Sequence, residues 1–184
     1  MTERTIRAVA VFCGARDGVD PRHVEAAAAV GRTLGERGIT VVYGGGGTGL
    51  MGAVANGALA VGGTVIGVIP EALIGPELAH PDLAELHVVK TMAERKAMMA
   101  ELADVFVAMP GGTGTLEEII EQWSWAMLGY HAKPCGFLDV VGYWSPMKEL
   151  VQHMHAEGFL SDQGASMIRF ESSLDPLLAA LEDA

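Results

Sequence analysis

The sequence predicts a single α/β domain, a doubly wound parallel sheet with helices on both faces. Two observations predict it. Near-continuous apolar runs of strand length alternate along the chain with longer segments of helical period, the pattern of strands buried on both faces and joined by helical crossovers. The 184 residues are also 50% apolar, with 24 glycines and 6% aromatics, a composition suited to close helix–sheet packing and a length that encloses one core. No repeat, linker or low-complexity segment divides the chain, so residues 1–184 read as one domain.

In order, "IRAVAVFCG" (Ile6–Gly14) reads as a buried strand, and "PRHVEAAAAVGRTLGERG" as a helix with Pro21 in its first turn and Gly38 as its stop. "ITVVYGG" is the next strand. Gly49 to Gly62 is small and apolar at helical spacing, and "TVIGVIP" is a strand ended by Pro70. "EALIGPELAHPDLAE", with two prolines and no period, reads as a surface loop or lid. "LHVVKT", "DVFVAMP" and "PCGFLDV" then read as strands, and "MAERKAMMAELA" and "GTLEEIIEQWSWAMLG" as helices. Two further helices are expected near Trp144–Glu157 and Leu174–Leu181.

Charge narrows the partners. Twelve basic against 23 acidic residues give a formal net charge of −11, so the molecule's field repels nucleic acid and anionic membrane surfaces, and an anionic ligand must be small and captured locally. No apolar stretch approaches the ~20 residues that span a bilayer, and "MTERTIRAVAVFCG" lacks a signal pattern, so a cytoplasmic protein is expected. Cys13 and Cys135 lie far apart in strand-like runs and read as small buried side chains. The histidines show no metal-ligand spacing, and no metal is expected.

Two glycine-rich phrases carry the chemistry. "GGGGTGLMG" (Gly44–Gly52) and "PGGTGTLEE" (Pro110–Glu118) each follow a strand and open a helix, at the sheet edge where α/β proteins bind ligands. Glycine lets backbone approach a ligand closely, and a helix start offers unpaired N–H groups at its positive end, a combination that fits phosphate. The bland alternative is tight turns and close helix packing. Gly44, Gly46 and Gly49 satisfy GxGxxG, with Glu71 as a ribose ligand, but a dinucleotide site would leave the second loop unexplained.

Two readings of Glu118 stand side by side. Thr115-x-x-Glu118 matches a capping box, in which both side chains satisfy backbone N–H groups. Alternatively Glu118 is catalytic. Arg95 and Lys96 in "MAERKAMM" favour the second, because they sit at a helix start where the dipole disfavours cations. They are placed to pair with Glu118 or with a bound anion, unless they form an ordinary surface pair. Met92, Met98 and Met99 read first as core, with Met92 also kept among the substrate-binding candidates.

"GGGGTGLMG", "MAERKAMM", "PGGTGTLEE" and "WAMLGYHAKPCGFLDVVGYW" together resemble the Lonely Guy (LOG) family of cytokinin riboside 5′-monophosphate phosphoribohydrolases, formerly labelled possible lysine decarboxylases, from about Val9 to Met167. The PGGxGTxxE pattern, met by Pro110, Gly111, Gly112, Gly114, Thr115 and Glu118, is its most specific part. The resemblance implies a Rossmann-like fold, usually dimeric, that hydrolyses the N-glycosidic bond of a nucleoside 5′-monophosphate without metal or cofactor. By position it implies Arg95 and Glu118 as catalytic pair. Lys96, the segment Gly45, Gly46, Gly47 and Thr48, and the segment Gly111, Gly112, Thr113, Gly114 and Thr115 match nucleotide-binding elements. The chain departs from the family at Gly14-Ala15-Arg16, where Gly-Ser-Ser is common, at Ala93, where His is common, and at Thr48, where Ser or a similar small residue is frequent.

One carboxylate with a cation suffices for such a reaction, because a purine leaves with modest proton assistance. Trp123, Trp125, Met127 and Tyr130 are expected as an apolar wall for a prenylated adenine, as a dimer interface, or as core. The rival function is a non-catalytic carrier of a nucleotide or phosphorylated cofactor on the same fold. Lysine decarboxylation would require a Schiff-base lysine and partners for pyridoxal phosphate, and no such set is recognisable.

Overall fold

A computed structural model describes residues 5–74 and 79–184. The elements run β1 (Ala8–Phe12), α1 (Arg22–Glu36), β2 (Thr40–Tyr43), α2 (Gly49–Leu59), β3 (Val65–Pro70), β4 (Glu85–Val89), α3 (Met92–Leu102), β5 (Val105–Ala108), α4 (Thr113–Met127), β6 (Cys135–Leu138), α5 (Ser145–Ala156), α6 (Asp162–Ser166), β7 (Ile168–Glu171) and α7 (Leu174–Glu182). The strands form one seven-stranded sheet in the order β4-β3-β2-β1-β5-β6-β7, every pairing parallel.

Strand alternation divides the core. Val9, Val11, Val41, Tyr43, Val105 and Val107 point to one face and pack under α1, α2 and α7. Ala10, Phe12, Val42, Phe106, Ala108 and Phe137 point to the other, under α3, α4 and α5. Both faces are therefore covered, which is why the strand sequences are apolar almost throughout.

The sheet order positions the site. From β1 the chain crosses by α1 to β2 on one side, whereas α3 returns it to β5 on the other side of β1. Loops leaving β1 and β5 therefore diverge to opposite faces and open a crevice at the carboxyl ends of those strands, the topological switch point of the fold. The glycine loops after β2 and β5 form its borders.

All six expected strands are present, and a seventh, β7, was not among them. "IRFE" is too short and too mixed to announce itself, and it is a strand because Cys135–Leu138 offers it an edge. The short helix α6 was not expected either, although its Ser161 side chain caps it by accepting from Gly164 N–H. Of the expected loop, Glu71–Leu73 forms a 3₁₀ turn, and residues 75–78 lie outside the described residues. No helix among the described residues is long and apolar enough to cross a membrane.

Helices α1 and α2 pack with almost no space between their backbones. A Cβ at Gly31 would stand 1.9 Å from the Val54 carbonyl oxygen, and one at Gly57 would stand 2.1 Å from that of Ala28. Gly57→Ala is therefore expected to destabilise the fold by about 1–3 kcal/mol, the cost of forcing a methyl into a filled contact. A urea midpoint unchanged from that of the wild type would disprove this contact.

Candidate active site

Three loops meet at the crevice and are joined by main-chain bonds. Gly14 N–H donates to the Pro110 carbonyl at 3.0 Å, and Met51 N–H donates to the Gly14 carbonyl at 3.2 Å. The loop after β1 also crosses the start of α2 so closely that a Cβ at Gly49, where φ is +62°, would lie 2.3 Å from the Ala15 carbonyl carbon. Only glycine fits there. The Thr48 hydroxyl donates to the Ala15 carbonyl at 3.4 Å.

The second loop leaves a helix start open. Gly112 is the N-cap of α4 with no side-chain cap, and the first intrahelical bond runs from Leu116 N–H to the Gly112 carbonyl. The N–H groups of Thr113, Gly114 and Thr115 thus precede the helical ladder, at the positive end of the helix. The positions of Gly112 and Gly114 face open space. Such a start is a ready anion site.

This geometry removes the capping-box reading. Thr115 lies inside the first turn of α4 rather than at its cap, so Glu118 is one turn too deep to reach the orphan N–H groups. The capping motif belongs instead to α3, where the Thr91 side chain accepts from Glu94 N–H at 3.1 Å and Glu94 accepts from Lys90 N–H at 2.7 Å.

Glu118 turns to Arg95. Arg95 is 8% exposed and Glu118 6%, and Arg95 Nη1 lies 3.2 Å from Glu118 Oε1. Arg95 Nε donates to the Val68 carbonyl at 3.1 Å, so the guanidinium is anchored on β3 while it meets the carboxylate of α4. This pairing outweighs the few tenths of a kcal/mol that the α3 dipole costs a cation at its start. Gly44 makes room: a Cβ there would lie 1.9 Å from Arg95 Nη2.

Burial pushes the Glu118 carboxyl above its ordinary range, a rise that the Arg95 charge opposes without cancelling and that Glu117 reinforces. Cys13 lines the same cleft, and burial first, then the Glu118 charge, hold its thiol far above the ordinary range. It is no nucleophile at neutral pH.

The cleft occupies about 890 Å³, ample for a mononucleotide, and its walls include Gly46, Thr48, Met92, Arg95, Gly111, Gly112, Thr113, Gly114, Thr115 and Glu118. Four other candidates stand apart. Gly45 and Gly47 lie behind the loop surface, against Leu86 and Ile69 and against His80 respectively. Lys96 pairs with Glu117 and, at 2.8 Å, with Glu121, tying α3 to α4 outside the cleft. Glu71 is exposed in its 3₁₀ turn and does not line the cleft.

The expected aromatic wall is not there in this chain. Trp123 is core, its Nε1 donating to the Gly164 carbonyl at 2.9 Å, while Trp125 and Tyr130 line a separate apolar pocket of about 540 Å³. The apolar side chains on the β3 side of the cleft are Ile69, Leu73 and Met92 instead, and Val19, Leu50, Met51 and Pro110 also line it. Sequence reasoning missed Ile69 and Leu73, along with His23 and Tyr143. The end of an apolar strand flags Ile69, but nothing local distinguishes the others.

A sequence-family profile described as "Possible lysine decarboxylase" matches residues 51–181. The cytokinin riboside 5′-monophosphate phosphoribohydrolase of Rhodococcoides fascians is 44% identical over 178 residues, covering 96% of this chain and 90% of that protein. The protein of the same name, LOG, from Oryza sativa subsp. japonica is 41% identical over 177 residues, 96% of this chain and 73% of that one. The chain belongs to the LOG family. Among solved structures, the molybdenum cofactor carrier protein of Chlamydomonas reinhardtii superposes with a TM-score of 0.69 at 21% identity, covering 97% of each chain. The molybdenum cofactor binding protein of Rippkaea orientalis gives 0.67 at 20%, covering 92% and 91%. At that identity the likeness establishes the Rossmann-like fold of this LOG family member and nothing more.

The raised Glu118 carboxyl sets a sign for stability. A carboxyl with a higher pKa folded than unfolded favours the fold while protonated, and that contribution fades as pH climbs from the unfolded value of about 4.3 through the folded one. The unfolding free energy of the wild type minus that of Glu118→Gln should therefore fall with rising pH across this window and level off above it. Denaturant titrations at several pH values measure it, and a rising difference would mean that attraction to Arg95 outweighs burial.

Proposed function

We propose that this protein hydrolyses the N-glycosidic bond of cytokinin riboside 5′-monophosphates, and of AMP, to free base and ribose 5-phosphate. Arg95 and Glu118 are the catalytic pair. The observation that carries the reading is the buried Arg95–Glu118 contact beside the uncapped start of α4. The relatives named above as phosphoribohydrolases support it.

In this scheme the 5′-phosphate docks on the N–H groups of Thr113, Gly114 and Thr115, and its binding energy holds the anomeric carbon near Glu118. As the base departs, positive charge grows on the ribose, and ionised Glu118 stabilises it and takes the proton of the attacking water. A carboxyl raised by burial is a stronger base than an exposed one, while Arg95 limits that rise and fixes the carboxylate's aim. The base occupies the end of the cleft formed by Ile69, Leu73 and Met92. Water supplies the oxygen on the sugar, and the leaving base takes up a proton.

A carrier of a phosphorylated cofactor fits the fold equally well. It has no evident use for a carboxylate kept buried at a cost beside the cleft, so the pair favours turnover. The proposal includes action in the cytoplasm and assembly as a homodimer. Met127, Leu128 and Tyr130 are exposed apolar side chains at the end of α4, beside the pocket lined by Trp125, and they form the contact with a second copy. Leu128→Glu should then shift the protein from dimer to monomer in light scattering, and an unchanged mass would place the contact elsewhere.

Pure protein incubated with isopentenyladenosine monophosphate, AMP and the unphosphorylated nucleosides should release base from the monophosphates alone, followed by chromatography. Glu118→Gln should lose about 100-fold or more in kcat. The acidic limb of the wild-type pH profile should lie above the ordinary glutamate range. Undiminished turnover by Glu118→Gln would end the mechanism.

A further inference from the structure

His23, the second residue of α1, is 8% exposed and lines the cleft from the sheet face opposite α4. Its ring meets that of Tyr143 edge-on, with centroids 5.6 Å apart and planes at 79°. The Tyr143 hydroxyl in turn donates to the Gly111 carbonyl at 2.6 Å, so Tyr143 links the His23 ring to the loop that opens α4. Gly18, with φ at +77°, passes the imidazole closely enough that a Cβ there would lie 3.2 Å from His23 Cδ2.

Nδ1 of His23 is enclosed and has no hydrogen-bond partner among the described residues. A position that only packs against an aromatic edge is served by Phe, without the cost of an unpaired polar atom. Enclosed N–H groups without acceptors are rarer than enclosed lone pairs without donors, so the proton of the neutral ring belongs on Nε2. That leaves a donor on a cleft-lining ring. Asp20, three residues before it, is paired with Arg22.

We propose that His23 is a ligand of the substrate's phosphate, its Nε2–H supplementing the open N–H groups of the first turn of α4. The proposal rests on the reading of the cleft as a nucleotide site. Sheet order assigns the ring to the phosphate rather than the base. Ile69 and Leu73 close the cleft on the side of β3, whereas Tyr143 follows β6 on the other side of the β1–β5 crevice. The apolar end takes the base, and the end with free donors at a helix start takes the anion.

The test is calorimetric titration of wild type, His23→Phe and His23→Gln with inorganic phosphate, ribose 5-phosphate and adenosine, with turnover of AMP in parallel. His23→Phe keeps the ring packing and should weaken phosphate and ribose 5-phosphate by about tenfold or more, the scale of one hydrogen bond to a charged group. Adenosine affinity should stay unchanged, and KM for AMP should rise while kcat changes little. His23→Gln, whose amide donates, should recover part of the loss. Unchanged phosphate affinity in His23→Phe, an equal loss for adenosine, or a wild type that binds neither phosphate nor ribose 5-phosphate would overturn the proposal. A wild type whose phosphate binding depends on His23 but which releases no base would overturn the hydrolytic reading and leave this one standing.

Discussion

The structure of the cleft depends on one buried ion pair. Arg95 and Glu118 come from two different helices, α3 and α4, joined through β5, and each would be costly to bury alone. Their meeting fixes the distance between α3 and α4, and the bond from Arg95 Nε to the Val68 carbonyl fixes that helix pair to the sheet. Lys96 repeats the connection on the outer side by reaching Glu117 and Glu121. Buried pairs of this kind are weak contributors to stability against an apolar substitute. Their value here is positional, since the carboxylate cannot turn away without stranding the guanidinium.

The glycines serve the same arrangement from the opposite direction. Side chains at Gly44 and Gly49 would strike Arg95 and the Ala15 carbonyl respectively. The backbone is thin at those points, so charged side chains and loop carbonyls occupy the space that Cβ atoms would fill. Gly112 and Gly114 face emptiness, and their lack of side chains leaves the first turn of α4 accessible to a ligand. Glycine therefore has two roles in one motif, close internal approach at some positions and exposed main chain at others.

Much of this was legible in the sequence. Apolar strands alternating with helices gave the two-layered cover of the sheet, and the Arg-Lys pair at a helix start announced a compensating acid, because bare dipole physics places cations at the other end. What the sequence left open was decided by distance in three dimensions. Thr115-x-x-Glu118 had the spacing of a cap, and only the start of α4 at Gly112 shows that the helix begins too early for it. Lys96 and Arg95 are adjacent in sequence yet diverge on α3, Arg95 to Glu118 in the cleft and Lys96 to Glu117 and Glu121 beside it, a separation that follows from 100° per residue but whose direction depends on packing. His23 and Tyr143 come from distant segments, and no local pattern could bring them together.

Net charge adds a final constraint on how such a protein holds an anion. With 23 acidic residues against 12 basic ones, a dianionic ligand approaches an unfavourable overall field, and a cluster of lysines would be drawn to the protein's own carboxylates, as Lys96 is drawn to Glu117 and Glu121. Main-chain N–H groups cannot be neutralised that way, because they bear partial charge in fixed positions and pair with no mobile acid. An amide cradle at a helix start therefore suits an acidic chain better than a basic pocket does. It also leaves Arg95 as the cation in contact with Glu118, and the charges of Arg95 and Lys96 together lower the carboxyl less than burial raises it, so the carboxylate retains basicity.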